Sequence, residues 1–116
     1  MYQNGRGVAQ DDQQAVFWYR KAAEQGQPSG QVLLGSMYAE GRGVEQNDEQ
    51  AEFWSRKAGD QGDDCGQFIL GVMYKTGRGV EQDAVKSVYW YRKSAEGGNA
   101  SAIAALKLLG IDSKNN

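Results

Sequence analysis

The chain has 116 residues, with 13 basic and 15 acidic side chains, a net charge of −2 and no histidine. That length fits one domain. The charge balance argues against a nucleic-acid or anionic-membrane binder, and the missing histidine removes the commonest general base and metal ligand. A single cysteine, Cys65, permits no internal disulfide. No apolar run approaches the ~18 residues of a membrane span, and no signal peptide is visible.

Residues 1–4 read as the tail of a first helix, so the chain is expected to open inside a repeat unit and to be a section of a longer array. Gly5-Arg6-Gly7-Val8-Ala9-Gln10 reads as an inter-helix loop, with paired glycines for positive φ and Val8 folding back as a staple. Asp11 is the expected N-cap, with Gln14 completing a capping box, and a helix follows over 12–25 with Ala15, Trp18 and Ala22 on one face. Gly26 ends it and Pro28 opens the next. The second unit repeats this plan: a helix over 29–40, the Gly41-Arg42-Gly43-Val44 turn, the Asn47/Gln50 cap and a helix over 48–61 closed by Gly62. The third gives a helix over 65–76, the Gly77-Arg78-Gly79-Val80 turn, a cap at Asp83 without its box partner, and a helix over 84–96 closed by Gly98. A last helix is expected over 99–109, its tyrosine position lost, before a loosely ordered tail at 111–116.

Met1-Tyr2, Met37-Tyr38 and Met73-Tyr74 recur every 36 residues, as do Trp18, Trp54 and Trp90. A fixed period of this size is the signature of stacked helix pairs. The expected fold is therefore all-α: a right-handed α/α superhelix, or solenoid, of about three helix-turn-helix units plus a terminal helix. The unit boundaries fall near 1–28, 29–64 and 65–100, with the terminal helix over 99–110. Gly35 and Gly71 sit inside helices, where glycine costs about 1 kcal/mol relative to Ala. A neighbouring helix crossing closely at each explains them.

The run Leu34-Gly35-Ser36-Met37-Tyr38-Ala39-Glu40-Gly41-Arg42-Gly43-Val44, with Ala51, Trp54, Lys57-Ala58 and Gly62, resembles the Sel-1-like repeat family, a relative of the tetratricopeptide repeats. The third unit carries the same words at Leu70-Gly71-Val72-Met73-Tyr74, Gly77-Arg78-Gly79-Val80, Trp90 and Lys93, with Ser87 and Ser94 in place of Ala. The resemblance covers residues 1–110. It implies a bacterial-type adaptor or scaffold binding a protein or peptide on the concave face of the superhelix, with no common catalytic site and no cofactor. It leaves the compartment open between bacterial cytoplasm and export.

Several motifs have a plainer structural explanation. Periodic Trp18, Trp54 and Trp90 read as packing between helix pairs rather than as a stacking platform. Gly-Arg-Gly-Val follows no strand and carries no Gly-Lys-Ser/Thr, so it is a turn and not a phosphate loop. Arg20, Arg56 and Arg92 are expected to pair with Glu24, Asp60 and Glu96 four residues on. Arg6, Arg42 and Arg78 leave two readings open, a shared anion site or, with at least equal weight, packing of their stems over aromatic rings. Asp60, Asp63 and Asp64 lack the spacing of a calcium loop, so no metal site is expected. Cys65 has no histidine partner, is not a nucleophile candidate, and is expected to be buried or groove-facing.

Comparing the units separates scaffold from surface, because structural positions must agree between repeats while a ligand-facing surface is free to differ. The differing pairs in the first helices are Ser29/Cys65, Val32/Phe68, Ser36/Val72, Ala39/Lys75 and Glu40/Thr76. They form one stripe at helical spacing, opposite the Leu-Tyr face. This stripe is the candidate concave binding surface, with an exposed Phe68, Val72 and Val32 as apolar anchors rimmed by Lys75 and Glu40; the equal alternative is that Phe68 packs against its neighbour repeat. The expected function is non-catalytic protein–protein interaction, with no nucleic acid, metal or membrane insertion. The alternative is an architectural spacer within a longer array whose binding site lies elsewhere, and an enzyme is the least favoured reading.

Overall fold

The computed structural model of the chain describes the backbone of residues 3–111 and the side chains of residues 11–111. Six helices follow one another: α1 (Gln3–Glu24), α2 (Pro28–Glu40), α3 (Asp48–Asp60), α4 (Asp64–Thr76), α5 (Ala84–Glu96) and α6 (Ala100–Leu108). No strand occurs among the described residues. Each helix packs on its chain neighbours and α2 also touches α4, giving an elongated stack of 50 × 30 × 24 Å. This is the layout of a helical solenoid, in which each unit contacts only its neighbours.

Two kinds of turn alternate. The tight one carries a left-handed glycine after the helix, as at Gly62 (φ 95°), and Asp63 N–H donates to Ala58 O at 3.1 Å, the long bond of a Schellman closure. The wider one leaves α2 through Gly41 and α4 through Gly77, and is closed by Asn47 N–H to Tyr38 O and Asp83 N–H to Tyr74 O, both 2.9 Å. Asn47 and Asp83 then cap α3 and α5, accepting from Gln50 N–H and Lys86 N–H. Only half of the expected capping box forms at Asn47, because its own N–H is already committed to the tyrosine carbonyl. The same commitment at Asp83 explains why Lys86 is tolerated where a box would need Glu or Gln.

The first unit departs from expectation. Helix α1 runs unbroken through Gly5-Arg6-Gly7-Val8 and Asp11, where a loop and an N-cap were expected. In the later units that loop is held by the carbonyl of the tyrosine ending the preceding helix. Tyr2, the counterpart, and Met1 lie outside the described residues. Ile111 is the last described residue, and the remainder of the expected tail lies outside the described residues.

The core follows the repeat. Leu34 and Leu70 are fully buried. One cluster joins Val16, Ala23, Leu34, Met37 and Trp54, and a second joins Leu70, Tyr74 and Trp90. Trp54 and Trp90 are each 8 % exposed, whereas Trp18 is 62 % exposed. The packing role expected for all three therefore fails at Trp18. Its counterparts rest on α2 and α4, the first helices of their own units, and no helix among the described residues holds that place for Trp18.

Both helical glycines mark close crossings. A Cβ on Gly35 would lie 3.2 Å from Ala51 O and Ser55 Oγ of α3, and one on Gly71 would lie 2.5 Å from the Tyr91 ring of α5. Gly43 and Gly79 serve the next interface. A Cβ there would stand 2.5 Å from Asp12 O and 2.6 Å from Asp48 O, so each turn sits directly on the second helix of the preceding unit.

Candidate interaction groove between the second and third units

The arginine ladders stitch successive units together. Arg42 places its guanidinium on Asp12 (2.9 Å) and Arg78 on Asp48 (2.7 Å), the acid lying 30 residues earlier in each case. Among the described residues neither arginine lies over an aromatic ring, one of the two readings left open for them. A recurring carboxylate at the start of the previous second helix is the stronger partner for a planar fork of donors. The Arg6 side chain lies outside the described residues.

Arg20 and Arg56 also find partners other than the expected acids. Each donates to a tyrosine hydroxyl in the next unit, Tyr38 and Tyr74, at 2.8 Å, with the guanidinium near the ring face at 5.6 and 6.0 Å. Arg56 additionally pairs backward with Glu52 rather than forward with Asp60. Among the described residues no ion pair joins Arg20 to Glu24 or Arg92 to Glu96. The tyrosine wins because it offers an acceptor and a ring at once, at an interface that is half-buried. Lys21, Lys57 and Lys93 lie over Phe17, Phe53 and Tyr89 instead, at 5.4–5.6 Å.

The candidate stripe divides in two. Val32, Ser36, Ala39, Phe68 and Val72 are half-buried, whereas Ser29, Glu40, Cys65, Lys75 and Thr76 are exposed. Ala39, Phe68, Val72 and Thr76 converge with Ala51, Ile69, Met73 and Arg78 on a cavity of about 190 Å³. Ser29, Val32, Ser36, Glu40, Cys65 and Lys75 do not line it. Phe68 is half-buried. Its ring leans on Tyr91 at 5.8 Å, which fixes it as one wall. Thr76 spends its hydroxyl on Val72 O (2.9 Å), leaving its methyl as the free surface. Arg78, clamped on Asp48 and donating to Ala39 O at 3.0 Å, is the one charged lining residue.

Sequence reasoning missed Ile69, Ala51, Met73 and Arg78. Ile69 differs from its counterpart Leu33, so the comparison of units carried its signal. Met73 and Arg78 recur between the second and third units, Ala51 recurs only as Ala15 of the first, and all three were assigned to the scaffold alone. An apolar cavity of about 150 Å³ takes a benzene ring, so this one has room for a single aliphatic or aromatic side chain.

Cys65 is exposed rather than buried or groove-facing. Partial desolvation, then the charges of Asp64 and Asp63, raise its thiol pKa above the ordinary value. The three ligand atoms of Asp63, Asp64 and Cys65 lie within 4.8 Å of one another. Asp63 is already the N-cap of α4, its carboxylate accepting from Gly66 N–H at 2.9 Å. No helix among the described residues is long and apolar enough to cross a membrane.

Three copies of the Sel1 repeat model match, over residues 1–27, 28–63 and 66–99. Among curated proteins none matches. Similar solved structures include a protective antigen of uropathogenic Escherichia coli displaying an SLR fold, 43 % identical with a TM-score of 0.80. A Sel1 repeat protein from Oxalobacter formigenes is 37 % identical with a TM-score of 0.81, and Helicobacter pylori cysteine rich protein B is 27 % identical with a TM-score of 0.74. The matches cover 95, 84 and 78 % of this chain. The matches in turn span 24, 28 and 68 % of those chains. Three units in register, their conserved turns and interfaces, and these likenesses agree: the chain belongs to the Sel1 repeat family, whose members generally serve as protein-interaction scaffolds.

Proposed function

We propose that this chain is a non-catalytic adaptor that engages a peptide or protein partner on the surface formed by its first-type helices α2 and α4. The cavity walled by Phe68, Ile69, Val72 and Met73 carries the reading, because four positions of the variable stripe meet there beside constant scaffold residues. It receives one apolar side chain of an extended or helical segment, the usual anchor in recognition of this kind. Capture of partners by the wild-type chain and by Val72→Asp, with far-UV circular dichroism on both, tests it. Lost capture with helicity intact supports the groove, and unchanged capture assigns binding elsewhere.

A second reading, an architectural spacer, is favoured by one observation: the chain spans only about a quarter of two similar proteins. On that reading Val72→Asp leaves capture by the longer protein unaltered. Neither reading asks for chemistry, and compartment is independent of both.

A further inference from the structure

The outer face of α5 is built like a docking face and lacks the contact that its counterparts receive. In the first unit Arg20 donates to Tyr38 of the next unit, and in the second Arg56 donates to Tyr74. The third member of that series is Arg92, and the residue at its tyrosine position is Gly110. Helix α6 has 9 residues against 13 in α2 and α4, and it ends at Leu108, two residues before the position where the tyrosine would stand. Arg92 Nε is buried and has no hydrogen-bond partner among the described residues. Its Glu52-equivalent partner is also gone, replaced by Val88.

Composition on this face runs opposite to that of a terminal cap. Solenoid ends are normally polar for solubility. Here the positions held by Asp12, Gln13 and Val16 in the first unit, and by Asp48, Glu49 and Glu52 in the second, are Ala84, Val85 and Val88. The face is thus most apolar in the unit whose following tyrosine position is held by Gly110, and Val85 is 80 % exposed. Ala84, Val85, Val88, Tyr89 and Arg92, with Lys93 and Glu96 at the charged end, line an open hollow of about 780 Å³, continued towards Leu109 and Ile111 by a second of about 610 Å³.

We propose that this face docks a tyrosine-bearing turn of a partner protein, its phenol accepting from Arg92 and small residues lying over Val85 and Val88. The occupant follows from the continuity of the repeat interface. The first unit, with Val16 where the third has Val88, is the nearest precedent, and there the arginine takes a tyrosine hydroxyl and no carboxylate. Ala84 in place of the clamp aspartate means that the occupant need not bring the arginine of a Gly-Arg-Gly turn.

The probe is a peptide with the sequence of Met73–Val80, titrated into the isotopically labelled chain and followed by NMR. Saturable shifts confined to Val85, Val88, Tyr89 and the Arg92 Nε–H are expected. Replacing the peptide's tyrosine by phenylalanine should weaken binding about tenfold, as expected for loss of one hydrogen bond to a charged group. Val85→Asp, at an exposed site that leaves helicity intact, should abolish the shifts. Absence of saturation, shifts centred elsewhere, or equal binding by the phenylalanine peptide would overturn the proposal. Tighter binding by a glutamate-for-tyrosine peptide would give Arg92 to a carboxylate and overturn the phenol. A doubled solution mass that Val85→Asp reverses would give the face to a second copy and overturn the partner assignment.

Discussion

The edge of the Tyr91 ring occupies the place where a β-carbon on Gly71 would go, 2.5 Å from its ideal position. One helix crosses another there at backbone distance, and Ser87 Oγ fastens the crossing by donating to Gly71 O at 2.7 Å. Relief of glycine's helix penalty, about 1 kcal/mol, competes at this site with overpacking of about 1–3 kcal/mol, and the rigid ring makes overpacking win. Gly71→Leu should lower the melting temperature by several degrees. Tyr91→Ser, which installs the second unit's residue, should make Gly71→Ala markedly less harmful, as a thermal-melt double-mutant cycle would show.

Ser55 and Ser87 are both buried, yet only Ser87 has a partner: Ser55 Oγ makes no hydrogen bond. Removing an unpaired hydroxyl relieves desolvation, while removing a paired one strands a carbonyl. Ser55→Ala should therefore leave stability unchanged or raise it. Ser87→Ala should lower it by about 1 kcal/mol in urea titrations. A large loss from Ser55→Ala would contradict the hydrogen-bond assignment.

Arg78 on Asp48 is exposed enough that the pair is worth little on its own account. Exposed pairs contribute about 0.2–1 kcal/mol and weaken with salt. Arg78→Met and Asp48→Asn should each cost an amount in that range, with a coupling between them that fades at about 1 M salt. Arg78→Lys should not restore the wild type, because an ammonium cannot hold Asp48 and Ala39 O in one plane.

The Cys65 thiol is held above its ordinary pKa by partial desolvation first, then by Asp64 and Asp63. A raised pKa leaves less thiolate at neutral pH, so alkylation by iodoacetamide should be slower than for an unstructured cysteine and should accelerate only at more alkaline pH. Asp64→Asn should speed it. Asp63 is unsuitable for this test because it caps α4.

Much of this architecture can be read from the chain. The 36-residue recurrence, the caps at Asn47 and Asp83, and the close crossings at Gly35 and Gly71 all follow from local chemistry plus the period. The arginine partners were not legible in the same way. A helix pattern offers Arg56 the acid four residues on, but the solenoid brings Tyr74 to it from 18 residues away. Only the rotation between units decides between them. The Arg42–Asp12 and Arg78–Asp48 pairs did leave a trace, since acid and arginine recur together at the same period. Trp18 and the unbroken α1 show the limit of repeat logic, because a residue at an equivalent repeat position need not meet the same neighbours. The groove was half visible. Unit comparison found Phe68, Val72, Ala39 and Thr76 but could not show that constant residues complete the same wall.

Selection of random peptides on the purified chain, followed by affinity measurement with Val72→Asp, tests the adaptor reading most directly. The account predicts enrichment of peptides sharing one aliphatic or aromatic anchor, with binding lost in Val72→Asp while helicity and melting temperature hold. Failure to enrich any such sequence, or peptides that bind Val72→Asp as well as the wild type, would contradict it.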